Sequence, residues 1–185
     1  MPSNIQSFTG KYAFLSQLFR SAFFFDNDQY NSPAAAFEAA KILSRPDRVS
    51  FIGWNMQPWN ARRLGKNIPK NWMRPDWDAA QLDIMLEIQR SKFSWPILRE
   101  MLLDTEDAQL VHGNACHDNI WGVCECQSLP PGKQKYGVST RCTGGGNRLG
   151  LILMHVRQEV RAGLHLVPLV PKCGPAAEVT GAVAA

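Results

Sequence analysis

The stretch Gly144-Gly145-Gly146-Asn147-Arg148-Leu149-Gly150 leads directly into the strongest helical pattern of the chain. Apolar residues then recur at helical spacing, at Leu149, Ile152, Leu153, Val156 and Val160. This pattern predicts an amphipathic helix over 147–162, with one face packed on a core. The first turn of a helix has backbone N–H groups without helical partners, and the helix dipole favours anions there. We therefore expect the backbone N–H groups around Gly146 to Leu149 to bind an anion.

The sequence before this helix predicts four more helices. Ser32 is a typical N-cap and Pro33 a typical first helical residue, so a helix begins there and is expected to run to about Ser44. Its expected core stripe includes Leu43, whereas Ala34, Glu38 and Lys41 lie on another face. The other predicted helices cover 56–66, from Asp76 to about Phe93 with Leu82 in its core stripe, and from Pro96 to about Leu103.

Several short strands are also predicted. Within 10–31, the apolar run Phe23-Phe24-Phe25 meets turn residues at 26–28, which indicates an antiparallel hairpin. Two further apolar runs, Leu110-Val111 and Ile120 to Val123, are interpreted as strands or extended segments. The sequence thus predicts a single compact α+β domain, mainly helical with a few short strands.

This domain is expected to span 8–165. Residues 1–7 are interpreted as a loose leader, and 127–146 as a long Pro- and Gly-rich excursion. The tail, 166–185, has few large apolar residues and is expected to be disordered. Most of the six tryptophans are expected in the core, because aromatic side chains contribute much buried area.

The composition is that of a soluble globular protein, with 45% hydrophobic and 19% charged residues. A net charge of +4 is compatible with phosphate-bearing ligands but does not require nucleic acid. No apolar run reaches the roughly 18 residues of a membrane span, and no signal peptide pattern is present. We therefore expect a cytoplasmic protein that does not contact membranes.

The cysteines do not predict a metal site. Cys116, His117, Cys124 and Cys126 cluster in the sequence, but zinc sites usually need two separated pairs, and Cys124-x-Cys126 is too tightly spaced. The five cysteines also lack the even number of a disulfide framework, so reduced thiols are expected. We expect neither a metal nor an organic cofactor.

A series of short motifs occurs in one order over about 8–163. It consists of Phe14-Leu15-Ser16, Tyr30-x-Ser32, Ala36-Phe37-x-Ala39-Ala40-Lys41, Ala61-x-x-Leu64-Gly65, Arg74-Pro75-Asp76-Trp77-Asp78, Lys92-Phe93, Gly113-Asn114, Trp121-Gly122 and Asn147-x-Leu149-Gly150. No single motif is specific, but together and in this order the series resembles the NADAR (YbiA-like) family. The resemblance implies an N-glycosidase that acts on a ribosyl-phosphate base adduct or on ADP-ribosylated guanine. Nucleic acid is then a candidate carrier of the substrate.

One departure from the family pattern concerns the catalytic acid. The resemblance places an acidic residue at position 34, usually followed by His, where this chain has Ala34 and Ala35. Three interpretations stay open: another acid has taken over, the chain binds a ligand without turnover, or the acid was removed on purpose. Glu38, at a position where the family usually has Gln, is the obvious substitute. Its alternative is a solvated surface carboxylate paired with Lys41.

The resemblance names further site residues. Asp118 is the second candidate acid, although an Asp here also suits a turn. Trp121 with Gly122 is expected to provide a flat wall for a base, and Lys41 and Arg148 to attract phosphate. Polar contacts are expected from Asn114 and Asn147, which also suit a turn and an N-cap. The alternatives in function are a non-catalytic module that binds ADP-ribose or a modified base, and a nucleic-acid-binding domain that recognises modified guanine.

Overall fold

The computed structural model describes residues 4–115, 118–126 and 142–164, and this part contains five α-helices and seven short strands. The α-helices are α1 (Pro33–Ala39), α2 (Pro58–Gly65), α3 (Trp77–Phe93), α4 (Pro96–Leu103) and α5 (Arg148–Arg161). The strands are β1 (Asn4–Ile5), β2 (Phe23–Phe25), β3 (Asp28–Tyr30), β4 (Gln109–Leu110), β5 (Gly113–Asn114), β6 (Val123–Cys126) and β7 (Cys142–Gly144). Three short 3₁₀ helices cover Gly10–Leu15, Pro46–Phe51 and Lys70–Trp72.

The strands form three small sheets in the described part of the chain. β1 and β4 pair in parallel, β2 and β3 form an antiparallel hairpin, and β6 lies between parallel β5 and antiparallel β7. The predicted hairpin is confirmed, and Asp26 and Asn27 take the positive φ angles, 49° and 64°, that its tight turn requires. The loose leader is wrong at Asn4 and Ile5, because Ile5 is buried and pairs with Leu110.

The long helix α3 lies at the centre of the core, in contact with α1, α4, α5 and strand β2. Its buried residues include Met85, Ile88 and Phe93, spaced so that one helix face reaches the interior. Lys92 is also fully buried, and its Nζ donates to the carbonyl oxygens of Phe14, at 2.5 Å, and Ser16, at 3.1 Å. Burial lowers the pKa of Lys92 to about 7. This lysine ties the Phe14-Leu15-Ser16 segment to α3.

Helix α1 ends earlier than the sequence suggests. It stops at Ala39 rather than near Ser44, because the chain there turns to pair with another segment: Arg74 N donates to Lys41 O at 2.8 Å, and Ile42 forms a β-bridge with Met73. The expected core position of Leu43 is therefore wrong, since its side chain is exposed. Pairing with the segment around Met73 therefore outweighs the local helix propensity at this point.

Two further expectations about the core are wrong. Leu82 is 38% exposed, since the buried residues of α3 begin at Ile84. Most tryptophans are not in the core either: Trp121 is buried and Trp77 half-buried, whereas the other four, Trp54, Trp59, Trp72 and Trp95, are exposed. Of the predicted strand from Ile120 to Val123, only Val123 is in a strand.

The fold class predicted from the sequence, a mainly helical α+β domain with short strands, is confirmed. No helix in the described ranges is long and apolar enough to cross a membrane. The expected disordered tail over 166–185 and most of the excursion over 127–146 lie outside the described residues.

Candidate active site

The start of α1 is built as its sequence predicts. Ser32 Oγ accepts a hydrogen bond from Ala35 N at 3.2 Å, and Pro33 occupies the first turn. Ala34 N donates to Gln17 O at 3.0 Å, which holds this turn beneath the loop that follows Phe14-Leu15-Ser16. Ala34 and Ala35 are both buried. The position where the resemblance predicts an acid therefore lies inside the fold, and it and its neighbour carry only methyl groups.

One turn further along α1, Glu38 forms a shielded ion pair. Its Oε2 lies 2.5 Å from Lys41 Nζ, and the residue is only 8% exposed. A Cβ on Gly65 of α2 would lie 1.7 Å from the same Oε2, so the carboxylate packs against a helix that has no side chain at this point. The pairing with Lys41 is confirmed, but the alternative of a solvated surface carboxylate is wrong. A carboxylate withdrawn from water needs such a partner.

Aromatic rings connect this ion pair to Trp121. Lys41 Nζ lies 5.7 Å from the centroid of the Trp77 ring, and Phe37 packs against the same indole at 4.9 Å between centroids. Phe37 also meets the Trp121 ring edge to face, at 5.1 Å. The structure thus brings Trp121 to α1, as a common site requires. Trp121 is 8% exposed, so its ring takes part mainly in packing in this structure.

Asp118 and Asn114 shape the turn that leads into Trp121. Asn114 Oδ1 accepts from Asp118 N at 3.1 Å, and Asn114 Nδ2 donates to Asp118 O at 2.9 Å. Asp118 Oδ1 accepts from Trp121 N at 2.9 Å. Its other oxygen, Oδ2, lies 3.9 Å from Arg62 Nη2 of α2. Asp118 therefore combines the turn role with an ion pair that reaches the second helix of the site.

The predicted anion site at the start of α5 is wrong as described from the sequence. Three of its backbone N–H groups donate to carbonyl oxygens of the turn over 119–122: Gly146 N to Asn119 O at 2.8 Å, Asn147 N to Gly122 O at 3.4 Å and Leu149 N to Trp121 O at 3.1 Å. These groups hold the glycine-rich loop on the Trp121-Gly122 turn, where a Cβ on Gly145 would lie only 2.2 Å from Gly122 O. Arg148 is exposed beside them.

Asn147 does not act as an N-cap through its side chain. Its Oδ1 accepts from His112 N at 3.0 Å, and its Nδ2 donates to Leu110 O at 2.9 Å. The backbone takes the left-handed conformation, with φ 45° and ψ 33°, which Asn tolerates better than most residues. The side-chain amide therefore joins α5 to the end of β4.

His112 is partly buried beside this junction. Its ring stacks on Phe8 at 5.3 Å, and burial lowers its pKa although the nearby Asp118 carboxylate acts in the opposite direction. This imidazole is therefore neutral at physiological pH and serves packing.

Helix α2 joins the two carboxylates. The Glu38 carboxylate packs against Gly65, and Arg62 lies near Asp118. Arg62 and Gly65 are three residues apart, so they lie on neighbouring parts of one helix face. Neither was singled out as a site residue, although Gly65 belongs to the motif Ala61-x-x-Leu64-Gly65. The available signal was the pair of small residues Ala61 and Gly65 at helical spacing, which allows α1 to approach α2 closely.

The sequence cluster of Cys116, His117, Cys124 and Cys126 is only partly described by the structure. Within the described ranges no group of three or more His, Cys, Asp or Glu residues could hold an ion. Cys116 and His117 lie outside these residues.

Comparisons with known proteins identify the family and the fold. The NADAR domain family model matches residues 6–161. The chain is 32% identical over 133 residues to the N-glycosidase Npun_R5314 of Nostoc punctiforme, covering 70% of this chain and 74% of that protein. It is 31% identical over 134 residues to the chloroplastic riboflavin biosynthesis protein PYRR of Zea mays, of which it spans only 18%. The NMR structure of the E. coli protein YbiA superposes with a TM-score of 0.68 at 24% identity over 88% of both chains, which shows the same fold.

Proposed function

The chain belongs to the NADAR family, and we propose on this premise that it is an N-glycosidase. The coarse activity is supported by relatives that are named N-glycosidases, among them YbiA of Shigella flexneri at 29% identity over 136 residues. We further propose that the substrate is an ADP-ribosylated guanine or a ribosyl-phosphate base adduct. The site residues proposed for it are Glu38 and Asp118 for chemistry, with Lys41, Arg62 and Arg148 for the anionic part of the ligand.

The observation that carries this proposal is the burial of the Glu38 carboxylate in the interface between α1 and α2. Cleavage of an N-glycosidic bond passes through a sugar with oxocarbenium character, which a nearby carboxylate stabilises or attacks through an activated water. Glu38 lies one helical turn after Ala34, a shift of about 6 Å along the axis. The side chains at positions 34 and 35 are single methyl groups, so they occupy little space beside the Glu38 carboxylate. Glu38 is thus the carboxylate best placed to replace the missing acid.

Asp118 is the second carboxylate of the site, and its role differs. One of its oxygens is used by Trp121 N, so only Oδ2, which faces Arg62, is directed towards another charged group. We propose that Asp118 orients the Trp121 turn and, with Arg62, helps to balance charge near the ligand. Asn114, Gly122 and Asn147 act indirectly, since their described contacts hold the backbone of this turn and the α5 loop.

A second candidate function is a binding module that holds ADP-ribose or a modified base without turnover. What favours it is that Ala34 and Ala35 occupy the positions where the family resemblance predicts an acid and a His. The same walls could hold the ligand, while no carboxylate would reach the scissile bond.

Turnover measurements separate the two functions. The parent chain is assayed on an oligonucleotide with ADP-ribosylated guanine and on a free pyrimidine ribosyl-phosphate, beside Glu38→Gln, Ala34→Glu and the exposed control Glu100→Gln. A well-placed acid or base contributes roughly a hundredfold to ten-thousandfold, so Glu38→Gln should lose at least about a hundredfold while Glu100→Gln retains the parent rate.

The contrary outcomes assign the alternatives. An unchanged rate in Glu38→Gln together with a strong gain in Ala34→Glu would mean that Glu38 is not the acid and that position 34 has merely lost it. No turnover in any variant, with ADP-ribose still bound in calorimetry, would establish the binding module.

A further inference from the structure

The basic residues of this protein are unevenly distributed along the sequence. Between Asp47 and Asp76 there is no acidic residue, while six Lys and Arg occur in this stretch. The whole chain has 20 Lys and Arg against 16 Asp and Glu, so the rest of the sequence holds more acidic than basic residues. The positive charge of the protein therefore comes from the segment that contains α2.

Part of this positive charge is already balanced within the fold. Arg48 pairs with Asp26, and Arg74 pairs with Asp76. Arg63 and Lys66 are exposed on α2, and among the described residues no carboxylate lies within ion-pair distance of either. Exposed cations that pair with no carboxylate of the described residues attract an anion from solution.

The same part of α2 exposes a large aromatic side chain. Trp59 is 67% exposed, and the Arg62 guanidinium lies 5.9 Å from its ring centroid. Trp59, Arg62, Arg63 and Lys66 together line a depression of about 300 Å³, which we call the α2 surface. Two more indoles of this acid-free segment, Trp54 at 62% and Trp72 at 47%, are also exposed. An indole left this open is unusual without a partner that covers it.

We propose that the α2 surface binds single-stranded nucleic acid. Lys66 lies three residues after Arg63, so these two exposed cations can face successive phosphates on one side of the helix. Trp59 offers a flat apolar face on which a base stacks, irrespective of which base it is. A duplex hides the faces of its bases, whereas a single strand exposes them.

An anionic membrane fits these residues less well. A helix that lies on a membrane buries a continuous apolar face in the lipid. In α2 the small residues Ala61 and Gly65 face the interior, where Gly65 meets Glu38, and the outer side combines one indole with the exposed cations Arg63 and Lys66. Cations and a single flat ring suit a strand of phosphates and bases.

The position of this surface gives it a role in the proposed reaction. Glu38 and Asp118 contact α2 from the inside of the fold, while Arg63 and Lys66 are open to solvent. A helix with its side chains is about 10 Å across, so a strand on the outer side passes close to the candidate site. The strand would then present an adducted base to that site, a step that rests on the proposed N-glycosidase function.

Binding of plain oligonucleotides tests the surface without any turnover. Fluorescence anisotropy with an unmodified, labelled single-stranded DNA 15-mer should give a Kd of about 1–100 µM that weakens with KCl. Arg63→Glu/Lys66→Glu should weaken binding by at least about tenfold and reduce the salt slope by about 1.4. The control Lys11→Glu/Arg99→Glu carries the same charge change outside α2 and should bind nearly as the parent does.

A second pair of variants tests base stacking. Trp59→Ala should weaken binding about fivefold to hundredfold, whereas Trp95→Ala, which removes an exposed indole from the start of α4, should not. Equal losses in the α2 variants and their controls, or duplex bound as tightly as single strands, would overturn the proposal. So would stronger binding to phosphatidylserine vesicles than to the oligonucleotide.

Failure of this inference is distinguishable from failure of the proposed function. Turnover of the free ribosyl-phosphate needs no strand, so the Arg63→Glu/Lys66→Glu variant should retain the parent rate on it. If the parent binds the oligonucleotide but cleaves neither substrate, the proposed N-glycosidase function is refuted, whereas strand binding by the α2 surface is not.

Discussion

Two glycines of this protein permit close approaches of different kinds. At Gly65, the atom that an added Cβ would meet is Glu38 Oε2, the end of a side chain, at 1.7 Å. At Gly150, in the first turn of α5, it is Leu110 O, a backbone atom, at 2.1 Å. A side chain can turn away from a new methyl group, but a backbone held by a strand pair cannot. Gly150 therefore serves the fold, whereas Gly65 serves the geometry of the candidate site.

The largest effect is expected from Gly150→Ala. The new Cβ must displace either α5 or the end of β4, so the free energy of unfolding should fall by about 3 kcal/mol, measured by chemical denaturation. Gly146→Ala is the matched control, because its Cβ would come no nearer than 3.3 Å to Ile120 O. If both variants lost the same stability, the close approach of Leu110 O would not be the reason why position 150 needs a glycine.

Asn147→Ala should have the next largest effect. It removes two hydrogen bonds, to His112 N and Leu110 O, and leaves an alanine in a left-handed conformation. Together these should cost about 2–3 kcal/mol. Asn147→Gly removes the same bonds but accepts the backbone conformation, so it should be less destabilised. A stability of Asn147→Ala close to that of the parent would show that the amide bridge does not hold α5 in place.

Gly65→Ala should affect activity more than stability. Movement of the Glu38 carboxylate relieves the overlap, so the loss of stability should be about 1–2 kcal/mol. The displaced carboxylate should nevertheless lower the proposed N-glycosidase rate by at least about a hundredfold. The double variant Gly65→Ala/Glu38→Ala removes the overlapping group and should be less destabilised than the two single changes predict. Strict additivity would mean that the two residues do not interact.

The smallest effect is expected from protonation of His112 near the α5 loop. Burial holds the folded pKa of His112 below its unfolded value of 6.5, so the associated stability is present above pH 6.5 and is lost as pH falls through the folded pKa. His112→Phe keeps the stack on Phe8 and removes the titration. The difference between the unfolding free energies of parent and variant should therefore grow as the pH is lowered from 7.5 to about 5. A constant difference would contradict this linkage.

The structure also shows which kinds of sequence signal predict local structure reliably. The hairpin turn at Asp26-Asn27 and the N-cap at Ser32 were predicted because short-range chemistry decides them: positive φ angles in one case and a hydroxyl acceptor in the other. The end of α1 was not predicted, because Ile42 leaves the helix to pair with Met73, which is distant in sequence. The N–H groups of the α5 loop likewise found carbonyl partners in the turn over 119–122.

The order of motifs along the chain was enough to identify the family, and hydrophobic periodicity was enough to predict a mainly helical α+β domain. The sequence by itself also shows Ala34 and Ala35 at the positions where the family resemblance predicts an acid and a His. Only the tertiary structure decided that Glu38 is buried against Gly65, that Arg62 faces Asp118 and that four tryptophans are exposed. The physical reason is distance along the chain. Turns and caps depend on neighbours a few residues away, whereas burial and charge pairing depend on which helix packs on which.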